Sequence, residues 1–292
     1  MNLNPMNPIS HQLNPDDPCP RATKVPSGNE QSETTAPTVI KIGGSTLGRH
    51  DTTLSDLVSL QKQGFELVVI HGGGKTISEW MEKQGVRPKF VEGLRVTDSA
   101  SLEIVVAVLT GLINKNLVAS INSRGGRAIG LSGADGGMVR ASIANPNLGY
   151  VGKVNEIDAS PVRNALDAGY IPVIAPVGFD MSRKADEEGS LLNINADTVA
   201  GHISSALMAK RMVFLTDVEG VLDSSKRLIR RITRRQAHSL VNSKVIAGGM
   251  IPKIEACLEA ISSGAVTRII DGRQPRALIE LLSGSDIGTR IG

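Results

Sequence analysis

Short apolar runs that stop abruptly at clustered glycines constrain this chain more than any other feature. Val39-Ile40-Lys41-Ile42 ends at Gly43-Gly44, and Leu67-Val68-Val69-Ile70 ends at His71-Gly72-Gly73-Gly74. Runs of this length between turn signals read as buried strands. Helical stretches alternate with them. Leu54, Leu57 and Val58 mark one that stops at Gly64, and a second runs from about Lys75 to Gln84. A third, capped by Thr97 or Asp98, extends over 98–122, with an Ile104 to Leu109 stretch apolar on every side. Further strands are expected at 127–131, 171–175, 212–215 and 268–270. Strand–helix alternation predicts an α/β fold around an open, mainly parallel sheet. Ligands of such sheets sit at the carboxyl ends of the strands, where the glycines fall.

Composition narrows the function. The 292 residues hold four Phe, two Tyr and one Trp, too few for the stacking platforms of a single-strand nucleic-acid binder. Two cysteines exclude a disulfide framework. The longest uninterrupted apolar run, Ile104 to Leu109, is far short of a membrane span, and no basic-then-apolar leader is recognisable. The expectations are therefore a cytoplasmic location, no membrane and no nucleic acid. Residues 1–37 carry seven of the 14 prolines and almost no periodic apolar residues, which predicts a disordered tail ahead of one domain over 38–292. A basic run (Lys226, Arg227, Arg230, Arg231, Arg234, Arg235 and Lys244) reads as a solvated helix face, because Leu228, Ile229, Ile232 and Leu240 interleave at near-helical spacing.

The glycine loops match no short motif. A phosphate-binding P-loop ending at Gly74-Lys75-Thr76 would need glycine at Val69, and the dinucleotide fingerprint fails at Ile77. No Gly-x-Ser-x-Gly elbow accompanies the histidine and triple glycine. What remains is physical: glycines let backbone N–H groups approach an anion, and the helix that follows adds its positive end. Each loop alone reads equally well as a tight turn. Lys41, however, lies inside an apolar strand, where a lysine is costly unless it faces an anion or an acid. Asp197 follows Asn193-Ile194-Asn195-Ala196 near a helix start, and Lys253 follows Gly248-Gly249-Met250-Ile251-Pro252. Their plainer readings are a helix N-terminal carboxylate and a surface lysine.

Taken together, Lys41-Ile42-Gly43-Gly44, His71-Gly72-Gly73-Gly74, Gly93-Leu94-Arg95-Val96-Thr97-Asp98, 193–197, Leu215-Thr216-Asp217-Val218-Glu219-Gly220-Val221-Leu222, 248–253 and Ile287-Gly288-Thr289 closely resemble the amino-acid kinase family in order and spacing. The resemblance implies a three-layer αβα sandwich with an N-lobe (38–177) for substrate binding and dimerisation and a C-lobe (178–292) for ATP. It implies ATP-dependent phosphorylation of the side-chain carboxylate of N-acetyl-L-glutamate, in arginine biosynthesis. Lys41 and Lys253 would hold the transferring phosphoryl group, and Asp197 would hold both ammonium groups. Gly44, Gly73 and Gly74 would donate N–H groups to the phosphoryl group and substrate. Arg95 and Asn193 would bind the α-carboxylate. Gly43, Gly44, Thr216, Asp217, Val218, Gly248, Gly249 and Met250 would line the ATP site. Mg2+ would be bound through the nucleotide, with no protein metal site. Such a site needs no general base, because a carboxylate with pKa about 4.3 is already ionised at neutral pH.

Some positions depart from the family pattern: Ala134 before Asp135 where many relatives carry lysine, Leu192 where tyrosine is common, and an enlarged charged loop at 181–188. Residues 1–37 lack the amphipathic helix of arginine-inhibited hexameric relatives. The expectation is a homodimer built on helix 98–122 and insensitive to arginine. Two other readings compete: a kinase for N-acetyl-aminoadipate in lysine synthesis, and a non-catalytic ligand sensor on the same fold. Intact Lys41, Asp197 and Lys253 argue against the sensor.

Overall fold

The computed structural model describes residues 36–43, 52–91, 93–181 and 191–292. The expected tail up to residue 35, Gly44 and all but Met181 of the 181–188 loop lie outside the described residues. In chain order the elements are β1 (Thr38–Ile42), α1 (Thr53–Lys62), β2 (Leu67–His71), α2 (Gly74–Lys83), a short hairpin of β3 (Phe90–Val91) and β4 (Leu94–Arg95), and α3 (Ser99–Val106). A π-helical stretch, Ala107–Ile113, joins α3 to α4 (Asn114–Ser123). Next come β5 (Ala128–Ser132), β6 (Val139–Ile143), β7 (Val151–Ile157), α5 (Ser160–Asp167), β8 (Ile171–Ala175), β9 (Val177–Asp180), β10 (Leu191–Ile194) and α6 (Ala196–Ala206). The chain continues with β11 (Arg211–Thr216), β12 (Arg231–Ile232), α7 (Arg234–Asn242), α8 (Met250–Ser262), β13 (Val266–Asp271), α9 (Ala277–Leu282) and β14 (Thr289–Ile291).

The main sheet runs β12-β14-β13-β11-β1-β2-β8-β5 and is parallel except where β14 meets β13. β1 sits in the middle, with Ile42 level with His71 on one side and Leu215 on the other. Strand alternation sorts its side chains between two layers. Val39, Val68, Ile70, Met212 and Phe214 face one core, which takes in α5, α6, α7 and α8. Ile40, Ile42, Val69, Val213 and Leu215 face the other, built with α1, α4 and α9. The three-layer αβα architecture is therefore as expected, and each strand read from the sequence is present within a residue or two.

Two features differ from the sequence reading. First, β10, β7, β6 and β9 close into a small four-stranded ring that the periodicity did not reveal. Glycine replaces a side chain where its strands press closest: a Cβ on Gly152 would lie 2.9 Å from Leu192 Cβ. Second, the basic run is not one helix face. Leu222 bridges Leu228, Arg231–Ile232 is the edge strand β12, and α7 begins only after Thr233 and Gln236 form a capping box. Ile232 is buried against β14 as a strand residue, which overrides the helical spacing, while the seven basic residues are exposed.

Asp98, not Thr97, caps the long helix, accepting from Ser101 N at 2.8 Å. The continuous helical run Ser99–Ser123 has 25 residues, mean hydropathy 1.8 over its most apolar window, and only 33% of that window buried. Among the described residues it alone is long and apolar enough to cross a membrane, a match by length and composition that the longest apolar run did not suggest. Val105, Val108, Leu109, Leu117 and Ile121 nevertheless lie in the protein core.

Helices α6 and α8 cross in close contact. A Cβ on Gly201 would stand 2.9 Å from both Cα and carbonyl O of Ala256. Gly201→Ala is expected to lower unfolding stability by about 1–3 kcal/mol through overpacking, although alanine is the better helix former by about 1 kcal/mol. Urea unfolding measures this; unchanged stability would contradict so tight a crossing.

Candidate active site

The site grows from the middle of the sheet. Lys41 shares the sheet face of Val39, so it points toward α6. Asp197 stands in the first turn of α6, which Asn195 caps by accepting from Asp197 N at 2.8 Å and Thr198 N at 3.2 Å. Lys41 Nζ lies 2.7 Å from Asp197 Oδ1, and Lys253 Nζ, from the first turn of α8, lies 2.9 Å from Oδ2. Lys253 also donates to Gly249 O at 3.3 Å. The Gly201–Ala256 crossing lies one turn beyond Asp197 and Lys253, so it sets how far Lys253 stands from the carboxylate. Burial would raise the Asp197 pKa, but the Lys41 and Lys253 charges and hydrogen bonds outweigh it and hold the carboxyl below its ordinary value.

Gly72, Gly73 and Gly74 turn from β2 into α2 beside Lys41. A Cβ on Gly72 would be 3.9 Å from Lys41 Nζ, and one on Gly73 would strike Leu109 and Ile113 of the π-helical stretch. Among the described residues neither the Gly73 nor the Gly74 N–H has an acceptor. They point a positive helix end at a cavity of about 190 Å³ lined by Lys41, Gly73, Gly74, Arg95, Asn193 and Asp197, among others.

Arg95 is buried and held in place. Its guanidinium donates to Gly74 O at 2.8 Å, Ser78 Oγ at 2.9 Å and Met81 Sδ at 3.0 Å, and it stacks 4.7 Å from the Phe90 ring centroid. Burial lowers its pKa, yet guanidinium remains charged at any physiological pH. Asn193 donates to Thr97 Oγ1 at 3.0 Å, which donates in turn to Arg95 O at 2.9 Å. One polar chain therefore ties β10 to β4.

The remaining expected residues do not line this cavity. Gly43 donates its N–H to Leu215 O at 3.3 Å, extending the ladder. The Thr216 hydroxyl lies 2.9 Å from Val218 O and 3.1 Å from Ile270 O, so it closes a turn at the end of β11. Asp217 and Val218 follow in that turn. Gly248, Gly249 and Met250 lead into α8, with Gly248 at φ 57° and open space around both glycines. All of these stand at the carboxyl ends of β1 and β11 or at the start of the helix that carries Lys253. Ser78, Phe90, Thr97, His71 and Asn114 were not singled out as site residues from the sequence. His71 and Thr97 stand within the motif segments 71–74 and 93–98, and Asn114 left a weaker signal as a poor helix former in a long helix.

A pair of ammonium groups and unsatisfied N–H groups at the carboxyl ends of the central strands suit an anion that changes charge as it reacts, the requirement of phosphoryl transfer. The sequence pattern of the amino acid kinase family matches residues 36–271, and the chain belongs to that family. An acetylglutamate kinase of Dehalococcoides mccartyi strain BAV1 is 42% identical, covering 87% of this chain and 93% of that one. An acetylglutamate kinase of Caldanaerobacter subterraneus subsp. tengcongensis is 44% identical over 87% and 86%. Among solved structures, smu.665 from Streptococcus mutans UA159 is similar with TM-score 0.75 and 31% identity, over 88% of this chain and 98% of that one. The N-acetylglutamate synthase of Neisseria gonorrhoeae, complexed with coenzyme A and N-acetyl-glutamate, has TM-score 0.75 and 25% identity, over 88% and 59%.

The lowered pKa of Asp197 has a signed consequence. A carboxyl with a folded pKa below its unfolded one contributes stability above the unfolded value of about 3.9, lost as pH falls through the folded value. Asp197→Asn leaves the buried Lys41 and half-buried Lys253 ammonium groups without their counter-charge and is expected to cost about 3–5 kcal/mol at pH 7. Denaturant unfolding across pH should show the gap from wild type constant between pH 8 and 5 and shrinking below about pH 4.

Proposed function

We propose that this chain transfers the γ-phosphoryl group of ATP to the side-chain carboxylate of N-acetyl-L-glutamate, forming N-acetyl-L-glutamyl 5-phosphate in arginine biosynthesis. The observation that carries the reading is the convergence of Lys41 and Lys253 on Asp197 beside the unpaired Gly73 and Gly74 N–H groups. Similarity to acetylglutamate kinases over most of the chain supplies the substrate.

In this reading the half formed by 38–177 binds the acceptor and 178–292 the nucleotide. Arg95, oriented by Ser78 and Gly74, and Asn193 take the α-carboxylate. The acceptor carboxylate oxygen attacks the γ-phosphorus as the bond to the ADP oxygen breaks, and no proton moves. Lys41 from the acceptor side and Lys253 from the nucleotide side neutralise charge on the transferring group, with Gly44, Gly73 and Gly74 donating N–H groups. Gly43, Thr216, Asp217, Val218 and the Gly248–Met250 loop line the nucleotide site. Among the described residues no three His, Cys, Asp or Glu side chains gather as a metal site. Mg2+ would be held by the nucleotide phosphates and would supply charge neutralisation there.

Trapping acyl phosphate with hydroxylamine tests the activity, and N-acetyl-L-glutamate is expected to exceed glutamate and N-acetyl-aminoadipate as acceptor. A stronger hydroxamate signal from the aminoadipate compound would reassign the substrate, and none from any of the three would leave a sensor. Lys41→Ala and Lys253→Ala are each expected to lower kcat about 10²–10³-fold while KM moves far less. Near-normal turnover in either variant would remove that lysine from the reaction.

The outer face of the apolar run Ser99–Ser123, with Leu112 exposed, suits a second copy of the chain. Sedimentation should give a homodimer that Leu112→Glu dissociates, and micromolar arginine should leave turnover unchanged. A hexameric mass or arginine inhibition would contradict this assembly.

A further inference from the structure

Residue parity sends His71 away from Lys41. It follows Leu67 and Val69 on the face of β2 opposite the ammonium groups, and it is 1% exposed. Its ring makes two polar contacts: Nδ1 lies 3.1 Å from Gly72 O, and Nε2 lies 3.2 Å from Asn114 Nδ2. The Asn114 amide is fixed by its other partners. Nδ2 donates to Val173 O at 2.8 Å and also lies 3.3 Å from Leu131 O, while Oδ1 accepts from Lys115 Nζ at 3.2 Å. A carbonyl can only accept and an amide NH2 can only donate, so the imidazole proton sits on Nδ1 and is donated to Gly72 O. Burial, with a smaller contribution from the Lys41 charge and against the Gly72 bond, pushes the His71 pKa down to about 4. The ring is neutral at physiological pH.

The Gly72 carbonyl and the Gly73 N–H belong to one trans peptide and point in opposite directions. A donor that grips Gly72 O from the helix layer therefore aims the Gly73 N–H at the opposite side, where Gly73 lines the cavity and its N–H has no acceptor among the described residues. Glycine on both sides leaves that peptide little steric restraint of its own. The anchor is itself anchored. Asn114 begins the helical turn directly after the π-helical stretch, and Gly130 leaves room for its side-chain oxygen, which a Cβ there would overlap.

We propose that His71, held by Asn114, is a positioning residue that orients the Gly72–Gly73 peptide so that the Gly73 N–H is presented to the transferring phosphoryl group. The proposal rests on the kinase reading above. It makes the His71 ring a fixed donor from behind the loop, one that neither touches substrate nor exchanges its proton during turnover.

Two substitutions separate positioning from packing. His71→Asn places its amide nitrogen on Cγ, where Nδ1 was, so it keeps the donor to Gly72 O and loses the contact to Asn114. His71→Leu fills the space and loses both. The leucine variant is expected to lose about 10–100-fold in kcat, less than outright removal of an oxyanion donor, with both KM values within about threefold. The asparagine variant should recover most of that loss although both variants melt earlier than wild type. If His71→Leu does not fold, His71→Gln replaces it, with its amide nitrogen one bond too far out and the same loss expected. Equal kcat in the donor-keeping and donor-lacking variants, or a loss confined to KM, would overturn the proposal. The tautomer is read separately from the imidazole 15N shifts of the wild-type protein: a neutral Nδ1–H form at pH 7 supports the assignment, and Nε2–H or imidazolium overturns it. Wild type that gives no hydroxamate with any acceptor would refute the kinase reading, while the 15N shifts still decide the His71 anchor.

Discussion

One carboxylate shared by two ammonium groups is the interaction on which the rest of this structure depends. Buried alone, Asp197 or Lys41 would be expelled or neutralised, because an unpaired charge in a low-dielectric interior costs several kcal/mol. Joined, they tie the central strand, α6 and α8 to a single point. The group still carries one positive charge too many. That imbalance makes an anion the natural further partner and places it against the unpaired N–H groups of α2. Helix crossing, strand parity and glycine placement all serve to hold three side chains within hydrogen-bond reach.

The sheet separates two kinds of work. On the α6 side it presents charge, and on the side of α1, α4 and α9 it presents almost uninterrupted aliphatic packing. His71 and Asn114 are polar groups on the second side, buried and hydrogen-bonded. A site can thus be stiffened from behind through its backbone, without polar groups competing for the substrate.

Much of this was legible from residues alone. Lys41 in an apolar strand had to meet an anion or an acid, and the register shows why: odd-numbered positions of β1 face α6. The glycine loops fell at strand ends as the periodicity required. The ring of β6, β7, β9 and β10 was not legible, since its closure rests on pairings of β10 with β7 and of β6 with β9, segments distant along the chain. Leu228, Ile229 and Ile232 misled because near-helical spacing over a few residues is indistinguishable from an edge strand whose pairing is set by distant β14. Ser78 was invisible as a site residue because only the tertiary fold brings it to Arg95, and the role of Thr97 because only the fold brings it to Asn193.

The place of β1 between β2 and β11 also bears on how the molecule comes into being. One side of β1 is satisfied early, by Leu67–His71, but the other waits for Arg211–Thr216 to leave the ribosome. Until then the nascent half-sheet has an open hydrogen-bonding edge, and Lys41 lacks its counter-charge until Asp197 has been made. Pairings so distant along the chain are slow to form and leave such edges open to other chains. The order of synthesis thus leaves the seam at the reactive centre open until the later part of the chain emerges, and in need of protection while it waits.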